Sequence, residues 1–103
     1  FTKGMRDVIK DPNASIATIK ARDGIIDVAL EERRLILALD ATVLTPDARA
    51  EGFGMALGPR MSLMASQVSD AFATKERVKA EAVWNASLLP SAAERNIFPP
   101  AKK

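Results

Sequence analysis

The stretch that decides the fold is Pro12 to Val43, PNASIATIKARDGIIDVALEERRLILALDATV. Spaced at ~100° per residue, Lys20, Asp23, Asp27, Glu31 and Arg34 form one charged stripe, and their three- and four-residue intervals are those of a solvated helix face. The remaining circumference carries Ile19, Ile25, Ile26, Val28, Leu30, Leu35, Ile36, Leu37, Leu39 and Val43. That arc is wider than the ~100° a minimal surface helix needs. The pattern predicts one long helix buried on more than one side. Glu32 and Arg33 fall inside the apolar arc, so each is expected to pair with a neighbour, sit at the rim or mark a bend. Gly24 is a further candidate for a bend, because glycine costs about 1 kcal/mol against alanine inside a helix. Leu35 to Leu44 also admits a buried strand, which would make the fold α+β. The Ala, Glu and Arg of its flanks and the lack of hairpin dipeptides favour helix.

Outward from this stretch, the chain reads as helix after helix. Phe1, Met5, Val8 and Ile9 share one face of a short helix that must stop before Asp11-Pro12. Asp11 then caps the next helix while Pro12 takes its first position, where a missing N–H costs nothing. Thr45-Pro46-Asp47 repeats the signal, adding an acid at the positive end of the helix dipole. The helix it starts contains Gly52 and Gly54 and is expected to end at Gly58-Pro59. A second long helix is expected from Arg60 to Leu88, with Met61, Met64, Val68, Ala71, Phe72, Val78, Ala82, Val83 and Ala86 on a narrow seam. Leu63, Trp84 and Leu88 point away from that seam. Pro90 ends the helix. Ser91-Ala92-Ala93-Glu94 has capping-box spacing, and Ile97-Phe98 precedes a polyproline-like end, Pro99 to Lys103. The expected architecture is therefore all-α: a small helical bundle or helical hairpin with two long helices, short capped helices and extended termini. Residues 1–90 form the helical domain and 91–103 a capped turn with a Pro/Lys-rich tail.

Composition excludes much chemistry. The 103 residues include no Cys, no His and no Tyr, which removes Cys/His zinc sites, disulfides, thiol nucleophiles and imidazole acid-base schemes. No catalytic residue, cofactor or metal is expected. Asp23, Asp27 and Glu31 share a face, but an active acid needs burial and these read as solvated. They match no calcium loop. In GFGMALG, Gly52 to Gly58, the third glycine comes one position too late for the dinucleotide fingerprint, and no Gly-Lys-Ser/Thr comes after it. Three of the four methionines lie between 55 and 64 and read as core filling.

The net charge is +2 and the sequence pI near 9.2. Residues 1–45 balance seven basic against seven acidic side chains, and residues 46–90 balance five against five. The excess lies in 91–103, where Arg95, Lys102 and Lys103 outnumber Glu94. Phosphate tracking needs clustered cations, so nucleic acid is not the expected partner of the folded part. A nucleic-acid or ribosome-associated module using the basic tail is the alternative, and a small enzyme or ligand carrier using carboxylates and Arg is a third class. No run approaches the roughly 18 apolar residues that span a bilayer. The first residue is Phe1 rather than Met; if that reflects processing, an organellar or periplasmic location is expected.

There are 31 large apolar side chains, and the Pro12–Val43 stretch offers more apolar arc than the rest of the chain can cover. This excess predicts a second protein surface. The expected function is a non-catalytic helical accessory or structural subunit of a larger assembly, including the periphery of a membrane complex. Its partners are other protein subunits, as a homo- or hetero-oligomer. The expected interface residues are Phe1, Met5, Leu63, Trp84, Leu88, Ile97 and Phe98.

Overall fold

The computed structural model describes residues 1–100. Their secondary structure is helical, with no strand among the described residues. Five α-helices run in order: α1 Thr2–Lys10, α2 Pro12–Arg22, α3 Val28–Ala38, α4 Pro46–Glu51 and α5 Gly58–Ala71. A π-helical turn, Leu39–Val43, extends α3, and two 3-10 turns lie beyond α5 at Ala80–Ala82 and Ala86–Leu88. Residues 35–43 are thus helical, with Leu44 as the cap that follows, and the strand alternative is set aside. Two compact units are present: Phe1–Phe53 with the segment from Ser91 onward, and Gly54–Pro90.

In the first unit the caps act where the sequence places them. The Asp11 carboxylate accepts from Ala14 N–H at 3.0 Å with Pro12 in the first turn, and Thr45 Oγ1 accepts from Ala48 N–H at 3.2 Å ahead of α4. The single helix expected over 12–43 is instead a hairpin, with α3 packed on α2. Its break, residues 23–27, contains Gly24 and converts two carboxylates of the expected stripe into turn and cap ligands. Asp23 Oδ1 accepts from Ile25 N–H at 3.1 Å, and Asp27 Oδ1 accepts from Leu30 N–H at 2.9 Å to start α3. Lys20 Nζ closes the turn by donating to the carbonyls of Gly24 (2.6 Å) and Ile26 (2.8 Å). Short acidic side chains compete in this way with the helical ladder, and here they win. Asn13 Nδ2 donates to Glu32 Oε2 at 3.2 Å across the hairpin, which gives Glu32 its place inside the apolar arc.

The end of α3 widens: Leu44 N–H reaches back five residues to Leu39 carbonyl at 2.7 Å, and Leu39 is turned into the core. That core is small. Ile16, Leu39 and Ile97 are the buried apolar residues, from α2, the π turn and the segment after Ser91.

The second unit departs further from expectation. Gly58-Pro59 begins α5 rather than ending α4, which stops at Gly52 (φ +81°). The helix expected over 60–88 stops at Ala71. Ala73 takes a left-handed conformation (φ +47°) and Thr74 N–H reaches Ser69 carbonyl at 3.1 Å, a Schellman-type close. Arg77 then holds the returning chain on α5, donating to Ser66 Oγ at 2.9 Å and pairing with Asp70. Those partners lie on the helix it has just left, so continuing the helix and making these contacts are mutually exclusive.

Candidate interaction surface

The residues expected at an interface divide between the units. Phe1, Met5, Ile97 and Phe98 belong to the first, and Leu63, Trp84 and Leu88 to the second. Phe1 is 97% exposed, its ring parallel to that of Phe53 with centroids 6.0 Å apart. Met5 is half-buried on α1. Ile97 departs from the expectation: it is 2% exposed, because the segment after Ser91 folds against its own unit. Phe98 is half-buried under the guanidinium of Arg49, 3.9 Å from the ring centroid, a cation–π contact. Leu63, Trp84 and Leu88 stay exposed, Leu88 at 86%.

The segment 91–98 is held by polar contacts as well as by Ile97. Its capping box is closed both ways: Glu94 N–H donates to Ser91 Oγ (3.3 Å), and the Glu94 carboxylate accepts from Ser91 N–H (3.0 Å) and from the Ser91 hydroxyl (2.7 Å). The Ser91 hydroxyl, then the Ser91 backbone N–H, hold the Glu94 carboxyl below its ordinary range, with smaller help from Arg6 and Lys3. Three consecutive carbonyls are then taken up by the first 53 residues. Arg6 donates to Glu94 (2.6 Å) and to Asn96 (2.7 Å), while Phe53 N–H donates to Arg95 (3.0 Å). Arg95 is itself buried, and its Nη1 donates back to the Phe53 carbonyl at 3.2 Å. Sequence reading assigned Arg95 only to the basic excess. Nothing local distinguishes a buried arginine from a solvated one, since its acceptor lies 42 residues away.

The open concavities offer little convergent chemistry. A groove of about 350 Å³ in the first unit is lined by Ile9, Ile97, Phe98, Pro99 and Pro100 with Arg6 and Lys10. In the second unit a groove of about 260 Å³ lies between α5 and residues 77–81. No group of three or more acidic side chains is placed to hold a metal among the described residues. The carboxylates of Asp23 and Asp27 are occupied as turn and cap ligands, and Glu31 pairs with Arg34 Nη1 at 2.7 Å. Lys102 and Lys103, on which the tail-borne nucleic-acid alternative rests, lie outside the described residues.

Apolar surface is what the molecule offers in quantity. Of the 31 large apolar side chains, 15 are exposed among the described residues. The accessible surface is 8141 Å². The scaling law for compact proteins gives about 5,700 Å² for one body of this mass, and about 6,800 Å² with the two units counted as separate compact bodies. The excess therefore belongs to the units themselves, whatever their arrangement.

It is uneven. In 54–90, nine of twelve large apolar residues are exposed (Met55, Leu63, Met64, Val68, Phe72, Val78, Val83, Trp84 and Leu88) and none is buried. In the first unit six of nineteen are exposed: Phe1, Ile19, Ile25, Leu30, Ile36 and Leu37. Sequence reading missed Ile25, which stands 95% exposed at the tip of the α2–α3 hairpin. The signal for it was present, because an isoleucine beside Gly24 and between two capping aspartates sits in a turn. Phe72 was assigned to a seam and is exposed because α5 ends beside it.

Among the described residues no helix is long and apolar enough to cross a membrane. No protein-family model, no curated protein and no solved structure matches this chain.

Proposed function

We propose that the chain is a non-catalytic helical accessory or structural subunit that docks on a larger protein assembly, with residues 54–90 as its principal contact. One observation carries this reading: a 37-residue unit that buries no apolar side chain and exposes nine large ones. Units below about 40 residues rarely stabilise a core alone, and apolar patches beyond a few hundred Å² mark protein contacts on soluble proteins. Leu63, Trp84 and Leu88 are the anchors, with Phe1, Met5 and Phe98 contributing from the first unit. Ile97, buried within the first unit, is not part of the contact. Asp11, Asp23, Asp27 and Glu94 serve caps and turns, and Glu31 and Asp70 form surface ion pairs, which supports the non-catalytic reading.

The test combines sedimentation with binding of an apolar dye to the purified chain. A docking subunit self-associates or binds the dye strongly, and Leu63→Glu with Leu88→Glu reduces both. A dye-silent monomer at every concentration overturns the proposal.

A further inference from the structure

We infer that the contact between Gly52-Phe53 and Arg95 is a staple that lets residues 54–90 open and re-form while the first unit stays folded. The chain leaves the first unit after Phe53 and re-enters it at Ser91. Both ends of the excursion are pinned to each other on the first unit's side. Phe53 N–H donates to Arg95 carbonyl at 3.0 Å and Arg95 Nη1 donates to Phe53 carbonyl at 3.2 Å. Arg6 clamps the carbonyls on either side, those of Glu94 and Asn96.

Gly52 makes the approach possible. Its φ of +81° is one that side-chain-bearing residues rarely adopt, and a Cβ there would lie 2.9 Å from Arg95 Nη1 and 3.2 Å from Arg95 Cβ. The flexible guanidinium can move away, but the Arg95 Cβ cannot without shifting the backbone.

The two units have unequal means of holding themselves. The first buries Ile16, Leu39 and Ile97 and half-buries ten more large apolar residues, and the second buries none. Local opening tracks such differences in buried contact. With the ends stapled, opening of 54–90 leaves a closed loop, whose entropic cost rises only logarithmically with its length. The first unit therefore keeps Ile97 and the 91–98 turn in place throughout. This goes beyond the docking proposal and concerns the chain alone.

The test is hydrogen exchange on the intact chain, read amide by amide. Expected is protection of α2, α3, Phe53 and Arg95 amides about ten-fold or more above that of α5 amides. Gly52→Ala is expected to lower protection at Phe53 and Arg95 and to leave α5 unchanged. Arg6→Gln, which removes two donors without altering backbone freedom, is the milder companion and is expected to act on residues 94–98 alone. Equal protection in both units, whether high or low, overturns the inference, as does a Gly52→Ala or Arg6→Gln effect that lowers α5 by the same factor. Failure of the docking experiment leaves these outcomes intact, and uniform exchange leaves docking intact.

Discussion

The chain contains two long apolar stretches, 12–43 and 60–88, and both fall short of the single helix their periodicity suggests. The first breaks once and folds back. Asp23, Asp27 and Lys20 satisfy the backbone at the break, and the helices on either side pack on each other. The second stops at Ala71 and gives way to two 3-10 turns, with Arg77 tying the returning chain to α5. Interrupting a helix is thus cheap where short polar side chains replace the lost hydrogen bonds. What differs is the burial that results: the first unit buries Ile16, Leu39 and Ile97, and the second buries none of its large apolar residues.

The largest expected effect tests that asymmetry directly. Ile97→Ala removes a fully buried side chain from the first unit and should cost about 2–5 kcal/mol, whereas exposed Leu88→Ala should stay within about 0.5 kcal/mol. Urea unfolding monitored by circular dichroism measures both. Trp84, the sole tryptophan, lies in 54–90, so its emission is expected to change little in Ile97→Ala. A parallel collapse of Trp84 emission would erase the contrast between the regions.

Next come the caps. Asp27→Ala leaves the orphan donors at the start of α3 without their ligand and should cost about 1 kcal/mol. Asp11→Ala should cost a similar amount, and thermal melts compare the two.

The capping box of 91–94 supplies a pH dependence confined to the first unit. Glu94 is held below its ordinary range in the folded chain by the Ser91 hydroxyl and backbone N–H. A depressed carboxyl contributes stability that is fully present above its unfolded value and is lost as pH falls through the folded one. Acid titration of stability should show this loss on the acid side of the ordinary carboxylate range, and Glu94→Gln should remove that step. Smallest of all is the Glu31–Arg34 pair at the surface of α3, where Arg34→Ala should change stability by no more than about 0.5 kcal/mol in a salt-dependent way.

Legibility in the sequence falls with distance along the chain. The caps at Asp11 and Thr45 and the box at Ser91–Glu94 depend on groups three residues apart, so their spacing shows in the sequence and their hydrogen bonds form as expected. The helical identity of 35–43 was legible from its flanks. The break at 23–27 was half legible: Gly24 pointed to it, but the aspartates read equally well as a charged stripe. The exposure of Leu63, Trp84 and Leu88 does not follow from displacement from a seam, because the helix ends at Ala71 and the seam residues Met64, Val68, Phe72, Val78 and Val83 are exposed as well. The burial of Ile97 did not show, because the contacts that hold its segment in the first unit come from Arg6 and Phe53, 42 or more residues upstream.

By itself, the amino-acid sequence determined the all-helical class, the capped starts of α2 and α4, the balanced charge of residues 1–90 and the surplus of apolar side chains. Each of these is a property of composition or of neighbours within a turn. Only the tertiary structure decided that Ile97 and Arg95 turn inward, that Phe53 and Arg95 pin the two ends of 54–90, and that the surplus is concentrated in that unit. Those outcomes require partners brought together across 42 or more residues, and no local pattern records which distant surface a side chain will meet.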